Sequence, residues 1–293
     1  WKENFYKLYE LNQHTGITVF QAQLLENAEM NLLQKKLFKI QSQRVTDYFS
    51  GSYSNEHIEE GISVITATKD LPPEAMLDAE IFSWFMTTFH INGLSTIASR
   101  VVYKYLGIDY KEVYNEFFKF LQQDPWFVKE QTEVRQYFSN WMTSGSIKHP
   151  KIGGIEIHGW NLIHRTSLNI QVEQKSEHIF ALLAEFMKRF DLPADLLSAT
   201  MAFQKKYVIT YNEIKNYPHD LKLDYNIWEY LSFDQPLENR PVTYFMDFPE
   251  DKDMSFPKFL ELFYFARRRN FGKALVENRE YNMVRAKIGR AHV

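Results

Sequence analysis

Glu156, His158 and His164 raise the first chemical question. Carboxylate and imidazole groups both ligate metals, and in an extended IEIH segment Glu156 and His158 would project from one face. The pattern lacks the usual completions. There is no helical HExxH, and Cys is absent from all 293 residues. Two readings stay open: a metal site, or ordinary side chains in ordinary surroundings, the second being the commoner outcome. His90, in TTFHING, has aromatic neighbours and is expected as a hydrogen-bonded core or helix-end residue rather than a ligand. Arg267, Arg268 and Arg269 form a basic run on a helix: a solvated face, or a phosphate or partner contact. No GxGxxG, P-loop or GxSxG is present, so neither a phosphate cradle nor a nucleophile elbow can be read from motifs.

Composition narrows the class. Hydrophobic content of 45% with 24% charged residues marks a globular chain rather than a disordered one. Aromatic residues make up 16%, and at helical spacing they are core packing rather than a cofactor box. A net charge of −3 offers no electrostatic footprint for nucleic acid or a membrane surface, so neither partner is expected. The longest apolar run, IFSWFM, is too short to span a bilayer, and a cytoplasmic location is expected.

These candidates must be carried by helices and strands. ENFYKLYELNQH (3–14) reads as a helix, with Gly16 at its stop. GITVFQAQLL (16–25) reads as a strand, β-branched and aromatic at first and then alternating. Helix, short turn and apolar strand make half of a βα-repeat, the unit of a parallel sheet or barrel. Further strands are expected at 39–45 and 60–68. From Leu71 the pattern turns helical: 72–94 with Pro in its first turn, LSTIASRVVYKYLG, DYKEVYNEFFKFLQQ capped by Asp109, and PWFVKEQTEVRQYFSNWM. Short turns make these an array of packed neighbours. KHPKIGG (148–154) is the best linker. Residues 155–172 read as two short strands or as a strand and a helix. SEHIFALLAEFMKRF is the clearest amphipathic helix, with Ser176 as its cap, and PADLLSATMAFQKK follows as another. Strands are expected at 207–211, 221–225 and 241–248, and helix from SFPKFLELFYFARRR to Ala286.

WKENFYKLYELNQHTGITVFQAQLLENAEMN (1–31), taken with 60–118, resembles the region just after the catalytic motifs of radical SAM enzymes that carry an N-terminal cobalamin-binding domain. In that family a GxPGET-like loop precedes the helix occupied here by WKENFYKLYELNQH. A barrel strand follows, ending in a pattern like LLPNAEM, here LLENAEM with Glu26 where Pro is frequent. VITATKDLP stands where the family has a VSTKTMP-like stretch, and FSWFMTTFHINGL matches its next helix. The resemblance covers about 1–120 and is diffuse beyond.

The resemblance implies an α+β, helix-rich fold. Residues 1–70 would by this resemblance hold remnant βα units of a partial (β/α) barrel and the strands after it, while the residue patterns themselves give 71–147 as a helical array and 148–287 as a C-terminal mixed α/β extension. It implies a parent that holds a [4Fe-4S] cluster on a CxxxCxxC loop, cleaves S-adenosylmethionine reductively and binds cobalamin. The reaction would be radical chemistry or methyl transfer on an unknown small-molecule substrate. The Cys loop is not in this chain, so the piece alone is expected to be inactive, its partners in cis being the N-terminal cobalamin and radical SAM domains. Ile288–Val293 reads as the translation of a common short-read sequencing adapter; 288–293 is expected to be an artefact and the chain a fragment open at both ends. Gln21, Gln23 and Leu25 are the cofactor-binding candidates. They alternate onto one face of a regular strand whose C-terminal end would approach the adenosine. Gln amides could hydrogen-bond a ribose or adenine edge, and Leu25 could add apolar contact; alternatively that face packs under the helix at 3–14. A reading from another class is a non-catalytic helical interaction or regulatory domain.

Overall fold

The computed structural model describes residues 2–14, 17, 21–46, 61–145, 150–157, 159–248, 250–266 and 275–278. Helix α1 (Lys2–Glu10) is followed by a π-helical turn (Met30–Gln34) that runs into the single turn α2 (Lys35–Leu37). Strands β1 (Gln41–Thr46) and β2 (Gly61–Ala67) precede α3 (Pro73–Met86), which continues as a π-helical turn to Ile91. Helices α4 (Thr96–Leu106), α5 (Tyr110–Leu121) and α6 (Pro125–Ser144) come next. The short pair β3 (Lys151–Ile152) and β4 (Ile155–Glu156) leads through a 3-10 turn (Gly159–His164) to α7 (Arg165–Val172). Helices α8 (Ser176–Met187) and α9 (Ala194–Tyr207) and a second 3-10 turn (Tyr211–Asn216) follow. The chain then alternates: β5 (His219–Tyr225), α10 (Ile227–Ser232), β6 (Asn239–Asp247), α11 (Phe256–Ala266) and β7 (Leu275–Asn278). The fold is therefore helix-rich with small sheets.

Local chemistry sets several boundaries. Asp124 caps α6 by accepting from the Phe127 amide at 2.8 Å, with Pro125 in the first turn where its missing N–H costs nothing. Gly107 and Gly145 end α4 and α6 at φ 71° and 69°, left-handed positions that suit a residue without Cβ. Other stops differ from the sequence reading. Helix α1 ends at Glu10, with Asn12 in the left-handed region at φ 63°; Gly16 lies outside the described residues. Lys175 rather than Ser176 occupies the N-cap of α8, and neither it nor Asp109 of α5 makes a side-chain cap bond.

The chain divides into two compact units, one of Trp1–Ile17, Thr88–Gln123 and Ser167–Val293, the other of Thr18–Thr87 and Asp124–Thr166. In the first, β5, β6 and β7 form an antiparallel sheet in that order. Val242, Tyr244 and Met246 of β6 are buried while the residues between them are half-buried, the period of a sheet with one covered face. Helix α9 packs on that sheet, and Phe203 stacks on Tyr244 at 5.3 Å. Phe117 of α5 bridges Phe89 and Phe186 at 5.1 and 4.8 Å.

The N-terminus of α4 is satisfied from a distance. Ser95 precedes it but donates to the Phe89 carbonyl instead of capping. Gln204 of α9 takes the role: its Oε1 accepts from the Ile97 and Ala98 amides at 2.9 and 3.2 Å, and its Nε2 donates to the Gly93 carbonyl at 2.6 Å. The Gln204 side chain thus fills two of the donor vacancies that any helix start leaves.

In the second unit β1 and β2 pair antiparallel, and α3 and α6 pack on each other and on those strands. Trp84 of α3 stacks on Phe127 of α6 at 5.5 Å, and its indole N–H donates to the Thr166 hydroxyl at 2.9 Å. That hydroxyl donates to Glu130 at 2.8 Å, and Arg165 pairs with Glu130 and Glu133.

Three expected elements take other forms. The expected strand at 16–25 shows, among its described residues 17 and 21–25, an isolated antiparallel bridge of Gln23 with Val64. The Leu24 amide donates to Ser63 and the Ile65 amide to Ala22; a turn at Leu25–Ala28 then ends the pairing. Every strand pairing among the described residues is antiparallel, so the parallel ladder of a βα-repeat is not among them. Tyr207 closes α9 and Tyr211 opens a 3-10 turn where a strand was expected, because a short apolar run cannot distinguish a buried helix end from a strand. Leu275–Asn278 is strand, not helix, and completes the three-stranded sheet. Residues 155–172 resolve as a strand followed by a helix.

Gln204→Leu keeps the shape of the side chain but orphans two amides and a carbonyl. We expect a loss of about 3 kcal/mol in urea unfolding, seen as a lower midpoint at unchanged slope. A midpoint within error of wild type would show that Gln204 does not cap α4.

Candidate functional site

Gln21, Gln23 and Leu25 do not share one environment. The Gln21 amide donates to the Glu80 carboxylate of α3 at 2.9 Å. Gln23 is half-buried at the bridge to Val64, and Leu25 is 60% exposed. The buried residue between them is Leu24, packed with Ile40 and Ile65 and edged by Met76. The three therefore differ in burial and in partners. Gln21 alone reaches a functional group.

Glu80 is the unusual partner. It is only 6% exposed, and burial pushes its carboxyl up to about 7, opposed by the hydrogen bond from Gln21. Removing a carboxylate from water disfavours its charge, so a neutral acid persists where a free Glu would have ionised. Such a group can donate as well as accept, the property expected of a proton-handling acid.

Downstream of Leu25 the same stretch turns apolar side chains to solvent. Leu32, Leu33 and Leu37 are each 69% exposed and Phe38 is 42% exposed. They sit on the π-helical turn and α2, next in sequence to the buried Ile40.

In the other unit His90 is fully buried within a chain of hydrogen bonds. Its Nε2 lies 3.0 Å from His14 Nδ1, its Nδ1 2.5 Å from the Tyr114 hydroxyl, and Tyr9 stacks on it with ring centroids 3.7 Å apart. His14 Nε2 meets the Asn12 carbonyl oxygen at 3.0 Å, an acceptor only, which makes that nitrogen a donor. Asn12 also accepts from Arg100 at 3.0 Å. The Tyr114 hydroxyl also donates to the Ser99 hydroxyl at 3.0 Å, so the buried chain runs on from Asn12, His14, His90 and Tyr114 to Ser99. Burial holds the Tyr114 phenol well above its ordinary range, so it serves as a neutral hydrogen-bonding group. This is the hydrogen-bonded core His expected at position 90. Its partner His14, 76 positions away, carries no local signal.

The other sequence candidates do not assemble. Glu156 is half-buried on β4 and His164 is buried at the end of a 3-10 turn, while His158 and Arg267–Arg269 lie outside the described residues. Among the described residues no group of three or more His, Cys, Asp or Glu side chains could hold a metal ion. No helix of the described residues is long and apolar enough to cross a membrane. No family model matches this chain, and no curated protein matches it.

Glu80 gives a signed pH dependence. Its folded carboxyl titrates near 7 against 4.5 for the free group, so its stabilisation is complete below 4.5 and is lost as pH rises through 7. Glu80→Gln is expected to flatten the stability curve over that window and to exceed wild type at pH 8 by up to about 3 kcal/mol. Parallel pH curves for the two proteins would show that Glu80 ionises normally.

Proposed function

We propose that this chain is the C-terminal part of a cobalamin-type radical SAM enzyme, and that residues 21–38 abut the partial (β/α) barrel that would precede them. The observation that carries the reading is the exposed set Leu25, Leu32, Leu33, Leu37 and Phe38. Leu25 ends the strand that the family resemblance would assign to the barrel wall, and the other four follow within the next thirteen positions. Large apolar side chains gathered in one exposed stretch mark an interaction surface, and a covered barrel wall would bury them.

The cofactors would reside upstream. This chain has no Cys to ligate a [4Fe-4S] cluster. Bound in the parent, that cluster and S-adenosylmethionine would supply a carbon radical. The residues here would contribute shielding and position. Gln21, held against the buried Glu80, would set the polarity at the barrel's edge.

Two measurements test this. The coding sequence upstream of Trp1 is expected to encode CxxxCxxC; an unrelated N-terminal region would support the non-catalytic interaction domain instead. In the isolated chain, Leu32→Glu/Leu33→Glu/Leu37→Glu is expected to abolish concentration-dependent association in light scattering while leaving the unfolding midpoint within about 0.5 kcal/mol of wild type. Strong destabilisation would place those side chains in the core of this chain, and undiminished association would place the adhesive surface elsewhere.

A further inference from the structure

A cavity of about 440 Å³ opens in the first unit between the α7–α8 turn, the 3-10 turn after α9 and the start of α11. Its volume is that of a small-molecule pocket. One wall is aromatic: Tyr211 and Phe256 lie with ring centroids 4.9 Å apart, and the Tyr211 hydroxyl is tied to the Met254 carbonyl at 3.2 Å. The remaining lining includes the carboxamides of Gln171, Gln174 and Asn212 and the carboxylate of Glu213. Gln171 is 6% exposed, and its amide N–H donates weakly to the Ile209 carbonyl at 3.4 Å, leaving its oxygen as an acceptor. A second carboxylate, Glu177, also lines the cavity; Lys206 pairs with Glu213 at 2.5 Å and Lys205 with Glu177 at 2.7 Å, so the polar wall carries little net charge.

Gln174 is the informative residue. It sits at φ 54°, just past the end of α7, where the Lys175 amide bonds back to the Ile170 carbonyl. This is the left-handed helix stop at which Gly is the least strained choice. A long amide side chain there carries a backbone cost, and Gln174 lines the cavity.

We infer that this cavity binds a neutral saccharide. A pyranose has an apolar C–H face that packs on an aromatic ring, and a hydroxyl rim that needs both donors and acceptors. Carboxamides provide both, and a carboxylate already neutralised by Lys accepts without demanding a cation. A charged ligand would leave no comparable partner, and a wholly apolar one would strand the Gln171 oxygen. The inference does not depend on the radical SAM reading.

Saturation-transfer NMR and calorimetry on the 293-residue chain, with D-glucose, D-galactose, D-mannose and N-acetyl-D-glucosamine as probes, test it. At least one sugar is expected to bind with a Kd of roughly 1 mM, with the strongest transfer to ring C–H protons. Asn212→Ala and Gln174→Gly are each expected to weaken it at least about tenfold. Gln174→Gly should also raise the melting temperature, because Gly relieves the left-handed position. No saturation transfer from any of the four sugars would overturn the inference. So would a Gln174→Gly protein that melts higher yet binds as wild type, because Gln174 would then be only a helix stop.

Discussion

A buried peptide group must find a partner, and in the first unit that requirement converges on α4. Its opening amides are held by Gln204 rather than by its own Ser95. Further along, Arg100 donates to the Asn12 side chain and the Leu231 carbonyl, and Lys104 to the Tyr230 carbonyl and Asp234. One helix thereby fixes α9, the turn after α1, and α10. Because Asn12 also receives the His14 proton, the buried His14–His90–Tyr114 chain and the end of α4 share one acceptor. Polar satisfaction sets how these elements meet, and the aromatic packing of Phe203 on Tyr244 and of Phe117 on Phe186 fills the space so defined.

The second unit obeys the same rule and departs from it in one respect. Trp84, Thr166, Glu130 and Arg165 form a closed polar chain beside the Trp84–Phe127 stack. Glu80, by contrast, has the Gln21 amide as its partner, and burial pushes its carboxyl up to about 7. Close by in sequence, 25–38 shows solvent the side chains a core would take in. Exposed apolar side chains gathered in one stretch are the general mark of an interaction surface.

Signals confined to a few residues were legible in the sequence. Helix α6 opens at Pro125, the first residue of the expected helix, and Gly107 and Gly145 close their helices. His90 was legible as a core residue from its aromatic neighbours, but His14 was not, since nothing at position 14 announces a partner 76 residues on. Gln204 reads as one more polar residue on a helix, and its capping role exists only once α4 lies against α9. The candidate face Gln21, Gln23 and Leu25 rested on strict alternation. A turn at Leu25–Ala28 follows that face, and the partner of Gln21, Glu80, lies 59 positions away. At 275–278 the strand is stabilised by pairing with β6, which is tertiary context rather than propensity.

Reductive cleavage of S-adenosylmethionine leaves a product that an interaction domain does not make. The full-length protein containing these residues, reconstituted anaerobically with iron and sulfide and reduced with dithionite, is expected to release 5′-deoxyadenosine and methionine from S-adenosylmethionine. A full-length protein that carries its iron–sulfur cluster and forms no 5′-deoxyadenosine, or one that has no cluster to reconstitute, would contradict the proposed origin of this chain.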